Sequence, residues 1–267
     1  MTHRTDADVS RRTYLKLTGG TAAVGATGLA GCLGDGGDSM TITPGTAPGF
    51  PPFEMRQDGE LVGFDIDLLE AVVAETDYEI GEWATFDFGG LIPALTQNEE
   101  IDVIAAALSI SEDRKETIAF SDPYWEVDQA ILVREGGDFQ PSEWADFEGT
   151  RVGAQSGTTG AGQVESNLVG EEIIPEDNFS TYDSYVLAVE DLVNGNIDAV
   201  VVDTPVAETF TESRDVTVAF VEETGEQYAF GIRQNESEFQ SALNDGLQTV
   251  RDDGTYQEIT NNWFGQE

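Results

Sequence analysis

Residues 102–115 constrain the fold more than any other stretch of the chain. The unbroken run of small apolar residues at 103–108 is typical of a β-strand that is buried on both faces. Ser111 follows, with Glu112 and Asp113 directly after it, which predicts an N-cap and the acidic first turn of a helix. A buried strand that leads through a short loop into a helix indicates an α/β protein.

The same helix start carries two positive charges, Arg114 and Lys115. The helix dipole disfavours cations in a first turn by a few tenths to about 1 kcal/mol, so the pair needs another explanation. Free backbone N–H groups at a helix start, together with a guanidinium, form a receptor for a carboxylate. Alternatively, Arg114 is a surface residue paired with Glu112 or Glu116, a contact worth roughly 0–1 kcal/mol. The spacing alone leaves both interpretations open.

The charge balance is strongly acidic. Lys and Arg number 12 against 52 for Asp and Glu, and the formal net charge is −40. This excludes nucleic-acid binding through phosphate neutralisation. Dense surface carboxylates suit concentrated salt, where screening shortens their repulsion to a few ångströms, so we expect a halophile's protein that loosens in dilute buffer. Beyond residue 31, Arg114 and Lys115 are the only adjacent basic pair, which favours a functional role for them.

Residues 1–31 have the features of an export signal rather than of a folded segment. Residues 10–16, Ser-Arg-Arg-Thr-Tyr-Leu-Lys, match the twin-arginine signal for export of folded proteins, and Thr and Gly interrupt the apolar segment too often for a transmembrane anchor. Residues 29–32 match a lipoprotein cleavage site, so Cys32 would become a lipidated N-terminus, followed by a flexible tether over residues 32–39. We expect the protein on the outer face of the cytoplasmic membrane, anchored through the lipid on Cys32.

From residue 40 onwards, short apolar runs alternate with amphipathic stretches, which predicts mostly parallel sheets flanked by helices. Residues 120–125 and 129–133 are expected to cross into a second α/β domain. Two such domains leave a cleft between them, and α/β sheets bind ligands at the carboxyl ends of their strands. Ser109, Thr159 and Asp203 all lie at predicted strand ends.

Two aspartates are placed where they could cap helices. Asp65 begins an amphipathic stretch in which Ile66, Leu69 and Val72 share one face, so it is a candidate cap for that helix. Asp203 ends an apolar strand and directly precedes Thr204 and a proline, which is a typical helix start. Asp203 therefore either caps this helix, binds a ligand, or does both.

Eight segments carry a shared pattern in order along the chain. They are residues 51–54 (PPFE), 63–68 (GFDIDL), 90–95 (GLIPAL), 108–114 (LSISEDR), 120–124 (FSDPY), 152–159 (VGAQSGTT), 198–203 (DAVVVD) and 253–256 (DGTY). With them the chain resembles the extracellular solute-binding proteins of family 3, which serve ABC importers of polar amino acids. The resemblance implies the type II periplasmic-binding-protein fold: two α/β lobes, each a mixed, mostly parallel sheet flanked by helices, with two hinge crossings. Lobe 1 would comprise residues 40–127 and 224–267, and lobe 2 residues 128–223.

The resemblance also implies which residues bind the amino acid. Phe50 and Phe88 correspond to two aromatics that sandwich the ligand's side chain, although by residue type alone they would be ordinary core aromatics. Arg114 corresponds to the arginine that grips the α-carboxylate, aided by the N–H or hydroxyl groups of Thr159 and Thr158. A zwitterion needs a fixed cation and a fixed anion a few ångströms apart, which agrees with the receptor inferred above.

The other end of the implied site holds the α-ammonium group. Asp203 corresponds to the carboxylate that binds it, and the Ser109 hydroxyl and the Ala107 carbonyl complete its three hydrogen bonds. Glutamine and basic-amino-acid binders of the family often carry an aspartate at the position of Ala47. Because Ala47 offers no partner for a cationic tail, we expect a neutral or polar amino acid rather than a basic one.

Two functions fit this resemblance. The first is capture of a free amino acid by a monomer without a cofactor, and its delivery to the membrane permease subunits of an ABC importer. The second is a dehydratase of the cyclohexadienyl or arogenate type on the same fold, with Asp203 or Glu54 as acid or base. His3 is the only histidine and Cys32 the only cysteine, which excludes Ser-His and Cys-His nucleophiles and the usual zinc sites. We favour the binding protein, because an ammonium clamp holds its ligand unchanged.

Overall fold

The computed structural model describes residues 40–265 of the chain. These residues form two lobes, each built on a five-stranded mixed sheet with helices packed against it. The predicted export signal, Cys32 and the tether at 32–39 lie outside the described residues. Within residues 40–265, no helix is long and apolar enough to cross a membrane.

The helices and strands alternate along most of the chain. The strands are β1 (Met40–Ile42), β2 (Pro44–Thr46), β3 (Met55–Gln57), β4 (Glu60–Val62), β5 (Tyr78–Ile80), β6 (Ala84–Thr85), β7 (Val103–Ile104), β8 (Ile118–Phe120), β9 (Trp125–Arg134), β10 (Val152–Gln155), β11 (Phe179–Tyr182), β12 (Ala199–Asp203), β13 (Val216–Tyr228) and β14 (Gly231–Arg233). The α-helices are α1 (Phe64–Ala74), α2 (Leu91–Thr96), α3 (Glu112–Lys115), α4 (Thr159–Val164), α5 (Tyr185–Asn194), α6 (Thr204–Ser213), α7 (Ser237–Asp252) and α8 (Thr255–Phe264).

The two sheets share one arrangement. In lobe 1 the strand order is β6-β2-β7-β14-β8, and in lobe 2 it is β11-β10-β12-β9-β13. The first three strands of each order are parallel, the fourth pairs antiparallel with the third, and the fifth pairs antiparallel with the fourth. The carboxyl ends of the parallel strands therefore meet at one edge of each sheet, where ligands bind in α/β proteins. This arrangement confirms the predicted fold class.

Two long strands carry the chain between the lobes. β9 follows the last strand of the lobe 1 sheet, and β13 precedes that sheet's β14, while both strands pair in the lobe 2 sheet. Their register shifts between Glu222 and Glu226, where the backbone N–H groups of Thr224 and Gly225 both donate to Asp128 Oδ1 at 2.9 Å. The carboxylate thus satisfies the donors that the irregular pairing leaves free.

Strand β12 shows how the lobe 2 sheet is covered on both faces. Val200 and Val202 pack into one apolar cluster, whereas Ala199 and Val201 pack into another on the opposite face. Alternate side chains of a strand point to opposite faces, so a sheet covered on both sides needs apolar residues throughout. This requirement explains the unbroken apolar run that ends at Asp203.

The strand predicted at residues 103–108 is shorter than expected. All six residues are buried, as predicted, but the strand ends at Ile104, and Ala107 has a φ of +46°. A residue in this left-handed conformation cannot continue a β-strand, so the chain leaves the sheet early. Ser111 then caps α3 as predicted, since its hydroxyl accepts the N–H of Arg114 at 3.2 Å.

The prediction that Asp65 caps helix α1 is wrong. Gly63 occupies the N-cap position with a φ of +151°, and no side chain bonds to the helix end there. A Cβ on Gly63 would lie 1.9 Å from the carbonyl oxygen of Phe53, so only glycine fits. Asp65 is instead fully buried in the first turn, where it bonds to groups far along the chain.

Candidate ligand-binding site

The eight residues implied by the family resemblance line one narrow cavity between the lobes. They are Phe50, Phe88, Ala107, Ser109 and Arg114 from lobe 1, and Thr158, Thr159 and Asp203 from lobe 2. Ala106 and Gln155 complete the lining. Most of these residues follow the carboxyl ends of β2, β7, β10 and β12, which is why residues so distant in sequence meet here.

Arg114 lies across the boundary between the two lobes. Its guanidinium donates from Nη1 to the carbonyl oxygen of Ser109 at 2.6 Å and from Nη2 to that of Gly157, in lobe 2, at 3.0 Å. The guanidinium carbon lies 5.4 Å from the centre of the Phe88 ring, within cation–π range. Burial lowers the pKa of Arg114, while the carboxylate of Glu226 opposes this shift. An arginine remains charged even so, and the side chain is therefore a fixed cation in the cavity.

Close approach of the backbones makes the Arg114–Gly157 contact feasible. Gly157 has a φ of +77°, and a Cβ at this position would lie 3.3 Å from the Cα of Gly89. Glycine adopts this φ without strain and lets lobe 2 approach the turn that carries Phe88.

The two interpretations left open for the basic pair are resolved by its contacts. Lys115 forms the surface ion pair, with 2.8 Å between its Nζ and Oε1 of Glu112. Arg114 has no ion pair with any residue between 40 and 265 and points its guanidinium into the cavity. Lys115 is therefore a surface residue and Arg114 a cavity residue, although the two are adjacent in sequence.

Asp203 ends β12 and provides the anionic group of the cavity. It occupies the N-cap position of α6, but its side chain makes no capping hydrogen bond, so the predicted capping role is wrong. Its Oδ1 instead accepts a short hydrogen bond from Nε2 of Gln129, on β9. Burial raises the pKa of Asp203 to about 7, and the nearby Glu226 adds to the rise, whereas the Gln129 hydrogen bond opposes it. The carboxylate would gain from a cation beside it.

Several buried polar atoms near Asp203 have no hydrogen-bond partner within the described residues. They include Oε1 of Gln129 and Oε2 of Glu226, whose other oxygen accepts a bond from Gln129 at 3.2 Å. Oε2 of Glu54 is also buried without a partner, and burial together with nearby Asp65 raises the pKa of Glu54. Buried acceptors without donors are costly, so this part of the molecule favours positively charged, donor-rich groups.

The two threonines at the start of α4 have different roles. Thr158 is the N-cap: its Oγ1 accepts the N–H of Ala161 at 3.1 Å and donates to the carbonyl oxygen of Gln155 at 2.7 Å. The Thr159 hydroxyl lies 3.4 Å from that of Ser109, across the boundary between the lobes. Thr158 therefore fixes the helix start, and Thr159 faces the opposite lobe.

Both aromatics of the family pattern line the cavity, and one of them also packs against the other lobe. Phe88 forms a wall of the cavity beside Arg114. Phe50 is 6% exposed and also packs against Tyr185 of lobe 2, with 5.5 Å between ring centres. It is thus both a cavity residue and a core aromatic that joins the lobes.

Sequence reasoning missed three residues of this region: Gln129, Gln155 and Tyr185. Gln129 directly precedes the apolar run 130–133 of β9, and Gln155 ends the apolar strand β10; they are 0% and 4% exposed. A glutamine in such a run is the signal that could have found them, because a buried polar side chain requires partners. Tyr185 begins a helix like any core aromatic, and nothing in its local sequence distinguishes it.

Among residues 40–265, no group of three or more His, Cys, Asp or Glu side chains is placed to hold a metal ion.

The comparisons with known proteins show which family and which solved structures the chain is similar to. The chain matches the family described as bacterial extracellular solute-binding proteins, family 3, over residues 42–266. It is 32% identical over 221 residues to a probable histidine-binding protein of Campylobacter jejuni, with 82% of each chain covered. An ancestral arginine-binding protein bound to arginine has a TM-score of 0.79 and 34% identity, over 85% of this chain and 100% of that one. An ancestral arginine-binding protein bound to glutamine has a TM-score of 0.77 and 35% identity, over 85% of this chain and 98% of that one.

These matches cover nearly all of the described residues and confirm both the predicted fold and the family resemblance. The matched family is one of solute-binding proteins and the relatives are named as amino-acid-binding proteins, which agrees with the predicted binding role. The chain belongs to the bacterial extracellular solute-binding proteins of family 3.

Proposed function

We propose that this protein captures a free amino acid outside the cytoplasm and delivers it to the permease subunits of an ABC importer. One observation carries the proposal: a cation, Arg114, and a buried anion, Asp203, come from different lobes and line the same cavity. An α-amino acid carries one charge of each sign a few ångströms apart, so one molecule complements both groups. Family membership supports a binding role outside the cytoplasm.

In this proposal Arg114 and the N–H groups at the start of α4 hold the α-carboxylate. Thr159 is the first residue of that helix, where unpaired N–H groups favour an anion. Phe88 covers the guanidinium on one side, and the Phe88 and Phe50 rings flank the ligand's side chain. Thr158 contributes through the helix start that it caps.

At the opposite end, Asp203 accepts the α-ammonium group together with the Ser109 hydroxyl and the Ala107 carbonyl. An ammonium group has three donors in a tetrahedral arrangement, and these three acceptors match that number. A charge-assisted bond to Asp203 is favourable in a site from which water is excluded.

Capture couples to closure of the two lobes, which we assign to residues 40–127 with 224–267 and to residues 128–223. Arg114 reaches the Gly157 carbonyl, and Ser109 reaches Thr159, only when the lobes meet. A ligand held by Arg114 and Asp203 at once adds binding energy to the closed form alone, so it shifts the population towards closure. The closed, loaded protein is the form that the permease recognises.

The side-chain preference remains a prediction that the ligand is neutral or polar rather than basic. Ala47 is 5% exposed and packs in an apolar cluster with Leu91 and Ile104, outside the cavity lining. The relatives include proteins named for histidine and for arginine, and one solved structure is described as bound to glutamine. Arginine, histidine and glutamine are therefore the first ligands to test, and tight binding of arginine would contradict the neutral preference.

We also propose that the protein is a monomer exported folded by the twin-arginine route, lipidated at Cys32 and adapted to concentrated salt. The support is the pattern at residues 10–32 and the net charge of −40. Dilution of salt lengthens the range of repulsion between surface carboxylates, so the midpoint of thermal unfolding should fall on transfer from molar salt to dilute buffer. A midpoint that does not change would contradict the salt adaptation.

The proposed function is tested by a thermal-shift screen of the proteinogenic amino acids in molar salt, followed by calorimetry on those that stabilise the protein. Arg114→Ala should weaken binding by about 2–4 kcal/mol, since it leaves the ligand's carboxylate buried without its partner. Lys115→Ala is the matched control, because it removes the adjacent base that pairs at the surface. Near-normal affinity of Arg114→Ala, or equal losses in both variants, would contradict the assignment.

A further inference from the structure

Asp65 is a buried acid that the proposed binding mechanism does not use. It lies in the first turn of α1, is 0% exposed and does not line the cavity. Its Oδ2 accepts two short hydrogen bonds, from the backbone N–H of Ala107 and from the hydroxyl of Tyr124, both at 2.6 Å. Because a carboxylate in the core costs free energy, these contacts need a reason beyond filling space.

One of the two donors belongs to the cavity wall. Ala107 lines the cavity and has a φ of +46°. Residues with a Cβ adopt this left-handed backbone conformation at a cost in free energy. Such a conformation persists only where surrounding contacts hold it. The N–H bond to Asp65 is the contact made at this residue itself.

The neighbouring residues are held by ordinary backbone bonds. The N–H of Ala105 donates to the carbonyl of Gly45 at 3.0 Å, and the carbonyl of Leu108 accepts the N–H of Ala229 at 3.1 Å. Between these two anchors the chain must turn away from the sheet, and Asp65 bonds at the turning point. The carboxylate is thus in a position to fix the backbone conformation of the cavity wall between β7 and Ser109.

We propose that Asp65 is a positioning residue for amino-acid binding, which fixes the left-handed turn at Ala107 and so sets the Ala107 and Ser109 acceptors for the ligand's ammonium group. The inference rests on the proposed function. Tyr124, which lies away from the cavity, donates to the same carboxylate from the core side. An acceptor at this position is what the turn requires, so asparagine can replace aspartate at reduced strength.

Four variants test this assignment, each measured for affinity by calorimetry with an amino acid from the screen and for thermal unfolding without ligand. Asp65→Ala should lose on the order of 30-fold in affinity, whereas Asp65→Asn, which keeps the acceptor, should stay within about 3-fold of the unmodified protein. Tyr124→Phe removes the core-side donor, and Val72→Ala removes buried volume from the same helix. Both should lower the unfolding temperature but change affinity by less than about 3-fold.

The outcomes are distinct. If Asp65→Ala keeps its affinity, or if Tyr124→Phe and Val72→Ala lose as much as it does, the carboxylate merely supports the core and the inference is wrong. If Asp65→Ala does not fold, amide hydrogen exchange of Asp65→Asn decides: exchange at Ala107 should be faster by about 10-fold, and an unchanged rate overturns the inference. If the unmodified protein binds no amino acid at all, the proposed function fails before this comparison begins.

Discussion

The two charged ends of the cavity differ in how well the protein itself satisfies them. At the cationic end, Arg114 already donates to one carbonyl oxygen from each lobe. At the anionic end, Asp203 accepts one amide bond from Gln129, and burial with nearby Glu226 raises its pKa to about 7. The Arg114 guanidinium is therefore held in place by hydrogen bonds to the protein. The burial cost of the Asp203 charge, in contrast, is only partly offset by its hydrogen bond.

This difference predicts unequal contributions from the two ends of the ligand. A carboxylate that arrives at Arg114 replaces or shares hydrogen bonds that exist already, so its net gain is limited. An ammonium group that arrives at Asp203 provides the charge that the buried carboxylate lacks. We expect the anionic end to contribute the larger share of the binding free energy.

The largest expected effect is that of Asp203→Ala. It should weaken amino-acid binding by about 4–5 kcal/mol, more than Arg114→Ala, since it leaves a buried ammonium group without its counter-charge. Calorimetry provides both values, and Glu208→Gln, which changes an exposed acid on the same helix, is the control. A smaller loss for Asp203→Ala than for Arg114→Ala would reverse the comparison between the two ends.

The next effect concerns the pH dependence of stability. A carboxyl group whose pKa is raised in the folded protein, here from 3.8 to about 7, stabilises the fold below its unfolded pKa and loses that contribution as pH rises towards 7. Ligand-free protein should therefore lose stability between about pH 4 and pH 7. The pKa shift of Asp203 corresponds to a stability change of at most about 4 kcal/mol. The actual change should be smaller, because water reaches the carboxylate when the lobes open.

Asp203→Asn isolates this share, since Asp65, with its pKa raised to about 7, changes stability in the same direction in both proteins. Denaturant unfolding at pH 5 and pH 8 should show a smaller loss for Asp203→Asn than for the unmodified protein. Identical losses in the two proteins would mean that Asp203 is compensated as well as Arg114 is.

The smallest of the expected effects belongs to Gln129→Leu, which removes the amide donor from Asp203 and Thr159. Affinity should fall by about 1–2 kcal/mol, because the carboxylate loses its orientation but keeps its charge. Calorimetry with Gln140→Leu, an exposed glutamine of the same lobe, as control checks this value. A loss as large as that of Asp203→Ala would show that Gln129, and not the carboxylate, is the main partner of the ligand.

Local signals predicted the parts of this site that depend on neighbours in sequence. Ser111, for example, caps α3 as predicted, because its hydroxyl reaches an N–H three residues further along the chain. Residue type and spacing indicated four of the cavity residues, Ser109, Arg114, Thr159 and Asp203, and the family pattern added Phe50, Phe88, Ala107 and Thr158. Phe50, for example, has the residue type and the burial of an ordinary core residue.

The errors arose where a side chain bonds to a distant part of the chain. Asp65 and Asp203 both stand near helix starts, yet their carboxylates bond to Ala107, 42 residues away, and Gln129, 74 residues away. The strand predicted at 103–108 ends early, because the chain turns away from the sheet at Ala107, where φ is +46° and the N–H bonds to Asp65. In each case a tertiary hydrogen bond overrides the local preference, and no pattern within a short window encodes its partner.

The central claim, that one zwitterion joins Arg114 to Asp203, is tested most directly by changing the ligand. Calorimetry should compare an amino acid from the screen with its decarboxylated amine and with its N-acetyl derivative, which lack the carboxylate and the ammonium charge, respectively. We predict that each analogue binds at least about 100-fold more weakly, with the N-acetyl derivative the weaker of the two. Binding of either analogue within about 3-fold of the amino acid would contradict the account.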